Sequence, residues 1–328
     1  MSKNFAASRS RGPSSINMKE LPMVDVVRDY LTKRRALGFA LRTQGPQLLQ
    51  FARYADHQSR RSALTLELAV RWARLPRNVS PRCWAHRLKI LRPFAKFRAA
   101  FDPRTEIPPN RYLGASYQRT TPYIYSAAEI HALICGARQL PPRGGLRSLT
   151  YETLIGLLAC TGLRISEALR LRQADVDLDQ GVITVHRSKL KQSRLVPLHR
   201  SAVQALDHYS RARNQRVKVD RFFVTERGQL LPHSTVGGVF RGLLRSSLKK
   251  ADFGQRRPRL HDLRHAFATW RLVSWSDPRK HPDRLILFLA KYLGHQRVTD
   301  TYWYFSGVPE LFCRVGRQFE HFTRNAKS

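Results

Sequence analysis

Four short segments in the second half of the chain combine side chains that can bind phosphate or move protons. In the first, Arg164 and Glu167 stand three residues apart after a glycine and share one face of a predicted helix. The two residues either form a structural salt bridge, or Glu167 holds Arg164 rigid so that its guanidinium faces a phosphate. In the second, Lys189 and Lys191 lie in a polar turn between two β-rich runs. A lysine in such a turn is either solvated or enters a groove and delivers a proton.

Histidines dominate the other two segments. His261 and Arg264 stand at i and i+3 on one helical face, and His261 and His265 have the i, i+4 spacing that can bind a metal ion. No glutamate follows His261 as in the HExxH pattern of metalloproteases, so we expect no metal here. In the last segment, His295 follows a Leu-Gly pair, and a Tyr-Trp-Tyr triplet ends nine residues later at Tyr304. Lone histidines and aromatic triplets are more often structural than catalytic, so this segment gains meaning only beside the other three.

The chain is strongly basic over its whole length. Among its 328 residues, Lys and Arg number 59 and Asp and Glu 23, which gives a formal charge of +36. Basic clusters at 33–35, 60–61, 249–250 and 256–257 are spread along the chain rather than collected in one amphipathic helix. A distributed excess of this kind is typical of a protein that surrounds a polyanion and gains affinity by releasing counterions. The composition therefore favours nucleic acid over a membrane surface as the partner.

Several classes of protein are disfavoured by what the sequence lacks. Its apolar runs are all shorter than the ~18 residues that span a bilayer, and the polar residues 1–20 are not expected to act as a secretory signal. There is no GxxxxGK[ST] loop for ATP and no clear acidic cluster for two-metal nuclease chemistry. The four cysteines lie far apart without a CxxC pair, which predicts reduced thiols in the cytosol rather than disulfides or a zinc ribbon.

The chain is predicted to form two domains of the α+β class, mainly α. Residues 1–20 are rich in Ser, Arg and Lys and are predicted to form a flexible basic arm. Apolar residues at helical spacing predict a helical domain over 21–101, and proline density predicts a linker over 102–122. In the remainder, 123–328, helices are predicted to surround a small antiparallel sheet. Its strand candidates are 182–185, 194–198 and 222–224.

Capping residues predict where several helices begin. Thr65 is predicted to cap a helix in the first domain, and Ser126 with Glu129 forms a capping-box pattern in the second. Ser80, followed by a proline, predicts another helix start, with the hydroxyl as the cap. Pro93 lies within this last helical pattern and is expected to kink or end the helix.

The helix predicted to begin after Ser80 has two different faces. Apolar side chains fall on one face, and basic side chains fall roughly opposite. The basic face either belongs to an ordinary amphipathic surface helix or follows DNA phosphates. The candidate DNA-binding residues are Arg82, His86, Lys89 and Lys96.

Taken in order, the four segments resemble the tyrosine recombinase (phage integrase) family. The resemblance rests on Arg-Ile-Ser-Glu at 164–167, a turn lysine, His-Asp-Leu-Arg-His at 261–265, Leu-Gly-His at 293–295 and a tyrosine nine residues later. It spans roughly residues 123–322. The N-terminal helices look like the family's core-binding domain in composition and position only. Residues 296–298 depart from the small Ser or Thr residues often found in the family after Leu-Gly-His.

The resemblance implies a role for each motif residue. Arg164 and Arg264 match the two arginines whose forked donors bind the scissile phosphate. Glu167 matches the acid that supports Arg164. Lys189 matches the hairpin lysine that protonates the departing 5′ hydroxyl, and Lys191 is its rival because turn length varies.

The histidines and the tyrosine receive roles in the same way. His261 matches the base that accepts the phenol proton, and His295 matches the histidine that hydrogen-bonds the scissile phosphate. Tyr304 matches the nucleophile by its spacing of nine from His295, and Tyr302 is the competing candidate. No metal ion and no cofactor is implied, because two arginines can replace the metal ions of other phosphoryl-transfer enzymes.

The resemblance further implies a site-specific DNA recombinase of integrase or transposon type. Such an enzyme cleaves and rejoins double-stranded DNA through a 3′-phosphotyrosyl intermediate, and four protomers exchange strands between two sites through a Holliday junction. The alternatives are a type IB-like DNA topoisomerase and a sequence-specific DNA-binding protein that does not cleave.

Expectations about partners and location follow from the same resemblance. We expect a homotetramer on two DNA recombination sites, with no membrane association and with a cytoplasmic, nucleoid-associated location. An accessory recombinase or a directionality protein is a further candidate partner. A last helix is predicted after residue 307, with apolar residues on one face. It docks either on a neighbouring protomer or within its own domain.

Overall fold

The computed structural model describes residues 21–58, 63–117, 120–186, 193–248, 253, 258–275, 282–295 and 297–302. The chain divides into two compact units, with the boundary between Thr120 and Thr121. Helices make up most of both units, and one small antiparallel sheet lies in the second. The predicted fold class, α+β and mainly α, is therefore confirmed. None of the described helices is long and apolar enough to cross a membrane.

The first unit is built from helices around one apolar core. These helices are α1 (Met23–Ala36), α2 (Gln44–Gln58), α3 (Leu66–Arg74) and α4 (Pro81–Ala99). Aromatic side chains from different helices meet in the core: Phe51 lies edge-on to Trp72, and Tyr30 lies edge-on to Phe94, each pair 5.4 Å apart between ring centroids. Burying one such phenylalanine is worth about 1.5–3 kcal/mol, so these contacts fix how the helices pack.

The predicted helix starts in this unit are partly correct. The Thr65 hydroxyl accepts a hydrogen bond of 3.2 Å from the first turn of α3, as predicted. Helix α4 begins at Pro81 as predicted, but the Ser80 hydroxyl makes no capping bond, so that part of the prediction is wrong. Pro93 does not end α4, which continues to Ala99. Pro93 lies on the exposed face of the helix. A proline has no backbone N–H, so one carbonyl in the preceding turn lacks its usual donor, and water can solvate that carbonyl on this face.

The segment after α4 packs on the first unit over its first part. Asp102 is 1% exposed and forms ion pairs with Arg98 at 3.6 Å and Arg104 at 3.0 Å. Arg92 Nε donates a hydrogen bond of 3.0 Å to the carbonyl of Pro108. The described residues of 102–122 form no helix and no strand, yet these contacts tie their beginning to α4.

The second unit surrounds a three-stranded sheet with helices. The helices are α5 (Ala127–Arg138), α6 (Leu146–Thr161), α7 (Ile165–Ala168), α8 (Arg200–Asn214), α9 (His233–Ser247), α10 (Asp262–Trp275), α11 (Pro282–Leu293) and α12 (Thr299–Tyr302). The predicted capping box opens α5: the N–H of Glu129 donates to Ser126 Oγ at 3.2 Å, and the N–H of Ser126 donates to Glu129 Oε2 at 2.8 Å. Helix α6 contacts α5, α8 and α10 and so lies at the centre of the unit.

The sheet contains two of the three predicted strands. The strands lie in the order β1 (Val176–Asp177), β2 (Val182–Val185) and β3 (Arg194–Pro197), and neighbouring strands are antiparallel. The prediction of a strand at 222–224 is wrong, because Val224 forms only an isolated bridge with Leu230. This apolar run is buried for another reason: Phe223 stacks on Tyr209 of α8 at 5.3 Å between ring centroids.

Candidate active site

Gly162 ends α6 in a conformation that few other residues adopt. Its φ is +63°, and its N–H donates to the carbonyl of Leu158 at 3.0 Å. A Cβ at this position would lie 2.5 Å from Cδ1 of Phe267 in α10. The backbone conformation and the close approach of α10 therefore both require glycine. The turn directs the carbonyl of Gly162 at Arg264 and leads directly to Arg164, the residue before α7.

Arg264 is held between the C-terminal ends of two helices. Its side chain is 2% exposed; Nη1 donates to the carbonyl of Gly162 after α6 at 2.7 Å, and Nη2 donates to the carbonyl of Leu293 at the end of α11 at 2.6 Å. The last carbonyls of a helix carry a partial negative charge, together about half an elementary charge, which stabilises a nearby cation. The fold therefore orients this guanidinium before any ligand binds.

Arg164 approaches the same end of α11 from a more exposed position. Its side chain is 36% exposed, and Nη2 donates to the carbonyl of Gly294 at 3.3 Å. Nη1 donates to Glu167 Oε1 at 3.0 Å. Because Gly294 directly follows Leu293, the guanidinium groups of Arg164 and Arg264 converge on adjacent carbonyls although they are distant in the sequence.

Glu167 joins Arg164 to Arg194, a residue that the sequence did not single out. The Glu167 carboxylate is 7% exposed and accepts hydrogen bonds from Nη1 and Nη2 of Arg194 at 3.1 and 2.8 Å. Burial raises the pKa of Glu167, but the hydrogen bonds and charge of Arg194, followed by those of Arg164, outweigh this effect and lower the pKa to about 2. Glu167 is therefore a carboxylate shared by two guanidinium groups.

His295 follows α11 and makes a hydrogen bond at each ring nitrogen. Nη2 of Arg264 donates to Nε2 at 3.1 Å, and Nδ1 lies 2.8 Å from Oγ1 of Thr301 in α12. Because Nε2 accepts, the neutral ring carries its proton on Nδ1 and donates it to the hydroxyl of Thr301. Burial, together with the charges of Arg264 and then Arg164, lowers the pKa of His295 to about 4. Thr301 is 0% exposed, and none of the sequence motifs pointed to it.

His261 lies immediately before α10 and therefore one residue outside the helix that carries Arg264. Its ring meets that of His265 edge-on, with centroids 4.9 Å apart. Desolvation and then the charge of Arg264 lower the pKa of His261. Desolvation and then the charge of His261 lower the pKa of His265 to about 3. Within the part of the chain that the structure describes, no three His, Cys, Asp or Glu side chains are grouped to hold a metal ion.

The structure brings most of the predicted residues of the second unit together and leaves the others undescribed. The grouped residues are Arg164, Glu167, His261, Arg264 and His295. Lys189 and its rival Lys191 lie outside the described residues, as does Tyr304. Tyr302 is the last described residue of the chain and the last residue of α12.

The candidate DNA-binding residues of the first unit form one exposed row on α4. Arg82, His86, Lys89 and Lys96 are all exposed, whereas Leu88, Leu91 and Ala95 on the opposite face are buried. The predicted two-faced helix is thus present. The basic row is exposed, and the apolar face of α4 packs into the core of the first unit.

Comparison with known proteins identifies the family. Residues 129–307 match the model of the phage integrase family. The chain is 40% identical over 301 residues to y4rB of Sinorhizobium fredii, named as an integrase/recombinase, with 90% of this chain and 96% of the relative covered. It is 30% identical over 248 residues to tyrosine recombinase XerD of Rhizobium meliloti, with 74% of this chain and 76% of the relative covered.

A solved structure of the Tn1549 transposon integrase in complex with transposon right end DNA shares the fold. The TM-score is 0.65 at 16% identity, over 91% of this chain and 99% of that chain. The family match covers the whole arrangement of arginines and histidines described above. The chain belongs to the phage integrase family and is a tyrosine-type site-specific DNA recombinase.

Proposed function

We propose that the protein cleaves and rejoins double-stranded DNA recombination sites through a 3′-phosphotyrosyl intermediate formed by Tyr304. The observation that carries the proposal is the convergence of Arg164, Arg264 and His295 at the C-terminal end of α11. Three nitrogen-rich side chains at one point form a receptor for a phosphodiester, since forked donors match its non-bridging oxygens. Tn1549 integrase, a protein of the same fold, was solved on DNA.

The proposed reaction needs one nucleophile, one base and one acid. The Tyr304 phenol oxygen forms a bond to phosphorus and loses its proton to His261, while the bond to the 5′ oxygen breaks and that oxygen takes a proton from Lys189. Arg164 and Arg264 stabilise the extra charge on the equatorial oxygens in the transition state. Covalent attachment keeps the bond energy for rejoining.

The protonation states at the site fit these roles. A phenol has an unperturbed pKa of about 10, so its deprotonation needs a base. Because its pKa is lowered, His261 is neutral at neutral pH and can accept the proton. Glu167 stays ionised and supports Arg164. The two arginines supply the charge that metal ions supply in other phosphoryl-transfer enzymes.

The first unit is proposed to be the core-binding domain, assigned to 21–101, that binds the same DNA as the catalytic domain, assigned to 123–328. The exposed row on α4 supports this assignment, because it presents cations that can follow a phosphate backbone. The proposed domain assignment also includes a basic arm at 1–20, which lies outside the described residues, and a linker at 102–122. Four protomers would pair two sites on nucleoid DNA, with a Holliday junction as intermediate and accessory or directionality proteins as further partners.

A covalent-trapping experiment tests the proposal. Nicked duplexes tiled across the DNA that flanks the gene are incubated with the protein in EDTA and separated on a denaturing gel. We expect a protein–DNA adduct that forms without metal and disappears in Tyr304→Phe, while Tyr304→Phe still binds the same duplex in a shift assay.

Each other result has a defined meaning. An adduct that survives Tyr304→Phe but is lost in Tyr302→Phe would move the nucleophile by two residues. Tight binding without an adduct on any duplex would contradict cleavage by the protein alone. Relaxation of supercoiled DNA without a preferred site would favour a topoisomerase.

A further inference from the structure

We propose that Arg194 is a positioning residue for DNA cleavage, which keeps Glu167 ionised and thereby holds Arg164 in place for the phosphate. The inference rests on the proposed function, because it assumes that Arg164 binds the scissile phosphate. Arg194 is the first residue of β3 and pairs with Val185 across the sheet. It therefore links the sheet to the turn that carries Arg164.

Arg194 and Arg164 both donate hydrogen bonds to Glu167, but they differ in how far their side chains are buried. Both terminal nitrogens of Arg194 are used on the carboxylate, at 3.1 and 2.8 Å, and the side chain is only 12% exposed. Arg164 bonds the carboxylate through Nη1 and its own backbone N–H, at 3.0 and 2.9 Å. At 36% exposure, Arg164 can also meet a ligand. Arg194 is thus the inner partner and Arg164 the outer one.

The charge of Glu167 depends on the inner partner. A carboxylate that is 7% exposed is driven towards its neutral form by burial, and the largest opposing effect comes from Arg194. A neutral acid loses acceptor strength at the oxygen that takes the proton, so the bonds to Arg164 weaken. Without Arg194, the orientation of Arg164 is therefore expected to depend on pH.

Other titratable groups face Glu167 across a groove of about 450 Å³. His186 and Asp175 are bonded to each other there at 2.9 Å, so a control variant must keep this pair and remove only the carboxylate of Glu167. The charged groups lining the groove besides Glu167 are Arg170, Arg172, Asp175, His186 and Arg221.

The test compares Arg194→Gln with wild type on the nicked duplex that gives an adduct. We expect the single-turnover cleavage rate to fall on the order of 10- to 100-fold, as for a misplaced phosphate-binding group, while DNA affinity changes less than about twofold. The ratio of variant to wild-type rate is expected to fall further as the pH is lowered from 8 to 5. In a Glu167→Gln background, Arg194→Gln should add little further loss, and the pH-dependent part should vanish even though His186 is still present.

Three further variants make the test decisive. Arg194→Lys keeps the charge and is expected to restore the wild-type pH profile with part of the rate, and it serves also if Arg194→Gln folds poorly. Arg138→Gln removes an arginine that is ion-paired with Glu152 at 2.7 Å, and it should cleave normally. If Arg164→Ala cleaved normally, the proposed function would fail, and the premise of this inference with it. If Arg164→Ala were inactive while Arg194→Gln cleaved normally, only this inference would fail.

Two outcomes would overturn the inference itself. Arg194→Gln could cleave at the wild-type rate over the whole pH range. Alternatively, its defect could be fully additive to that of Glu167→Gln and accompanied by lost DNA affinity, which would make Arg194 a direct DNA contact.

Discussion

Replacing Gly162 with alanine tests whether the end of α6 places Arg264. Two costs add at this position. A residue with a Cβ at φ +63° costs roughly 1–2 kcal/mol. The new Cβ would also lie 2.5 Å from Cδ1 and 3.0 Å from Cγ of Phe267, and crowding of this kind costs about 1–3 kcal/mol. We therefore expect Gly162→Ala to lower the free energy of unfolding by about 2–5 kcal/mol.

The ring of Phe267 cannot withdraw without breaking other contacts. It is 7% exposed and stacks on Tyr292 of α11 with centroids 5.6 Å apart. Relief must then come from a shift of the turn, which carries the carbonyl that accepts from Arg264. Because a misplacement of about 1 Å can cost on the order of 100-fold in rate, the cleavage rate should fall much more than the DNA affinity.

Gly144→Ala provides the matched control for Gly162→Ala. Gly144 lies in the same unit at φ +69°, and a Cβ there would have no neighbour within 4 Å, so only the conformational cost applies. Urea denaturation of both variants isolates the contribution of the ring. The reasoning would be refuted if both variants lost the same stability, or if Phe267→Leu recovered none of the loss in Gly162→Ala.

Three further predictions concern other parts of the molecule. Thr65→Ala should lower the free energy of unfolding by about 1 kcal/mol, whereas Ser80→Ala should change it by only a few tenths, because Thr65 alone makes a capping bond; urea denaturation that ranks the two variants equally would contradict this. Lys89→Ala should reduce the slope of log K against log salt by about one in DNA-binding titrations, and an unchanged slope would remove Lys89 from the DNA interface. Because His265 and His295 titrate near pKa 3 and 4 in the folded protein but near 6.5 when unfolded, stability should fall as the pH drops from 6.5 towards 3. Urea midpoints measured across this range should fall less steeply for His265→Gln than for wild type, and equal slopes would contradict the assignment.

The sequence predicted the residue types of the site better than the contacts that hold them. Arg164, Arg264 and His295 were selected because their motifs, each ambiguous alone, together resemble the tyrosine recombinase family. Arg194 and Thr301 were not found. Arg194 meets Glu167 through tertiary packing, and Thr301 reaches His295 across the turn between α11 and α12. An arginine at the start of a strand and a threonine in a short helix have no periodicity that indicates a role.

The fold could be predicted where an element has a clear pattern in the sequence. The prediction failed where an element is very short or where a contact depends on packing. Long helices and the hairpin of β2 and β3 carry clear patterns, whereas β1 has only two residues and therefore no pattern to detect. The run at 222–224 has the composition of a strand, but packing on Tyr209 explains its burial without a ladder. At Ser80, the residue type favours a cap, yet the side chain is not used, since a capping preference is a tendency and not a contact.

The buried Arg264 contributes to the lowered pKa of the histidines beside it, after desolvation. The carbonyls of Gly162 and Leu293 hold the guanidinium of Arg264 at the ends of α6 and α11, so the fold accepts a cation there at low exposure. Desolvation, followed by the charge of Arg264, lowers the pKa of His261 and of His295, so both rings are neutral at neutral pH. A phosphodiester that enters would cancel part of this charge and raise both pKa values again. Under the proposed function, His261 would then be a stronger base, and His295 could take up a proton and donate from Nε2, only when the substrate is in place.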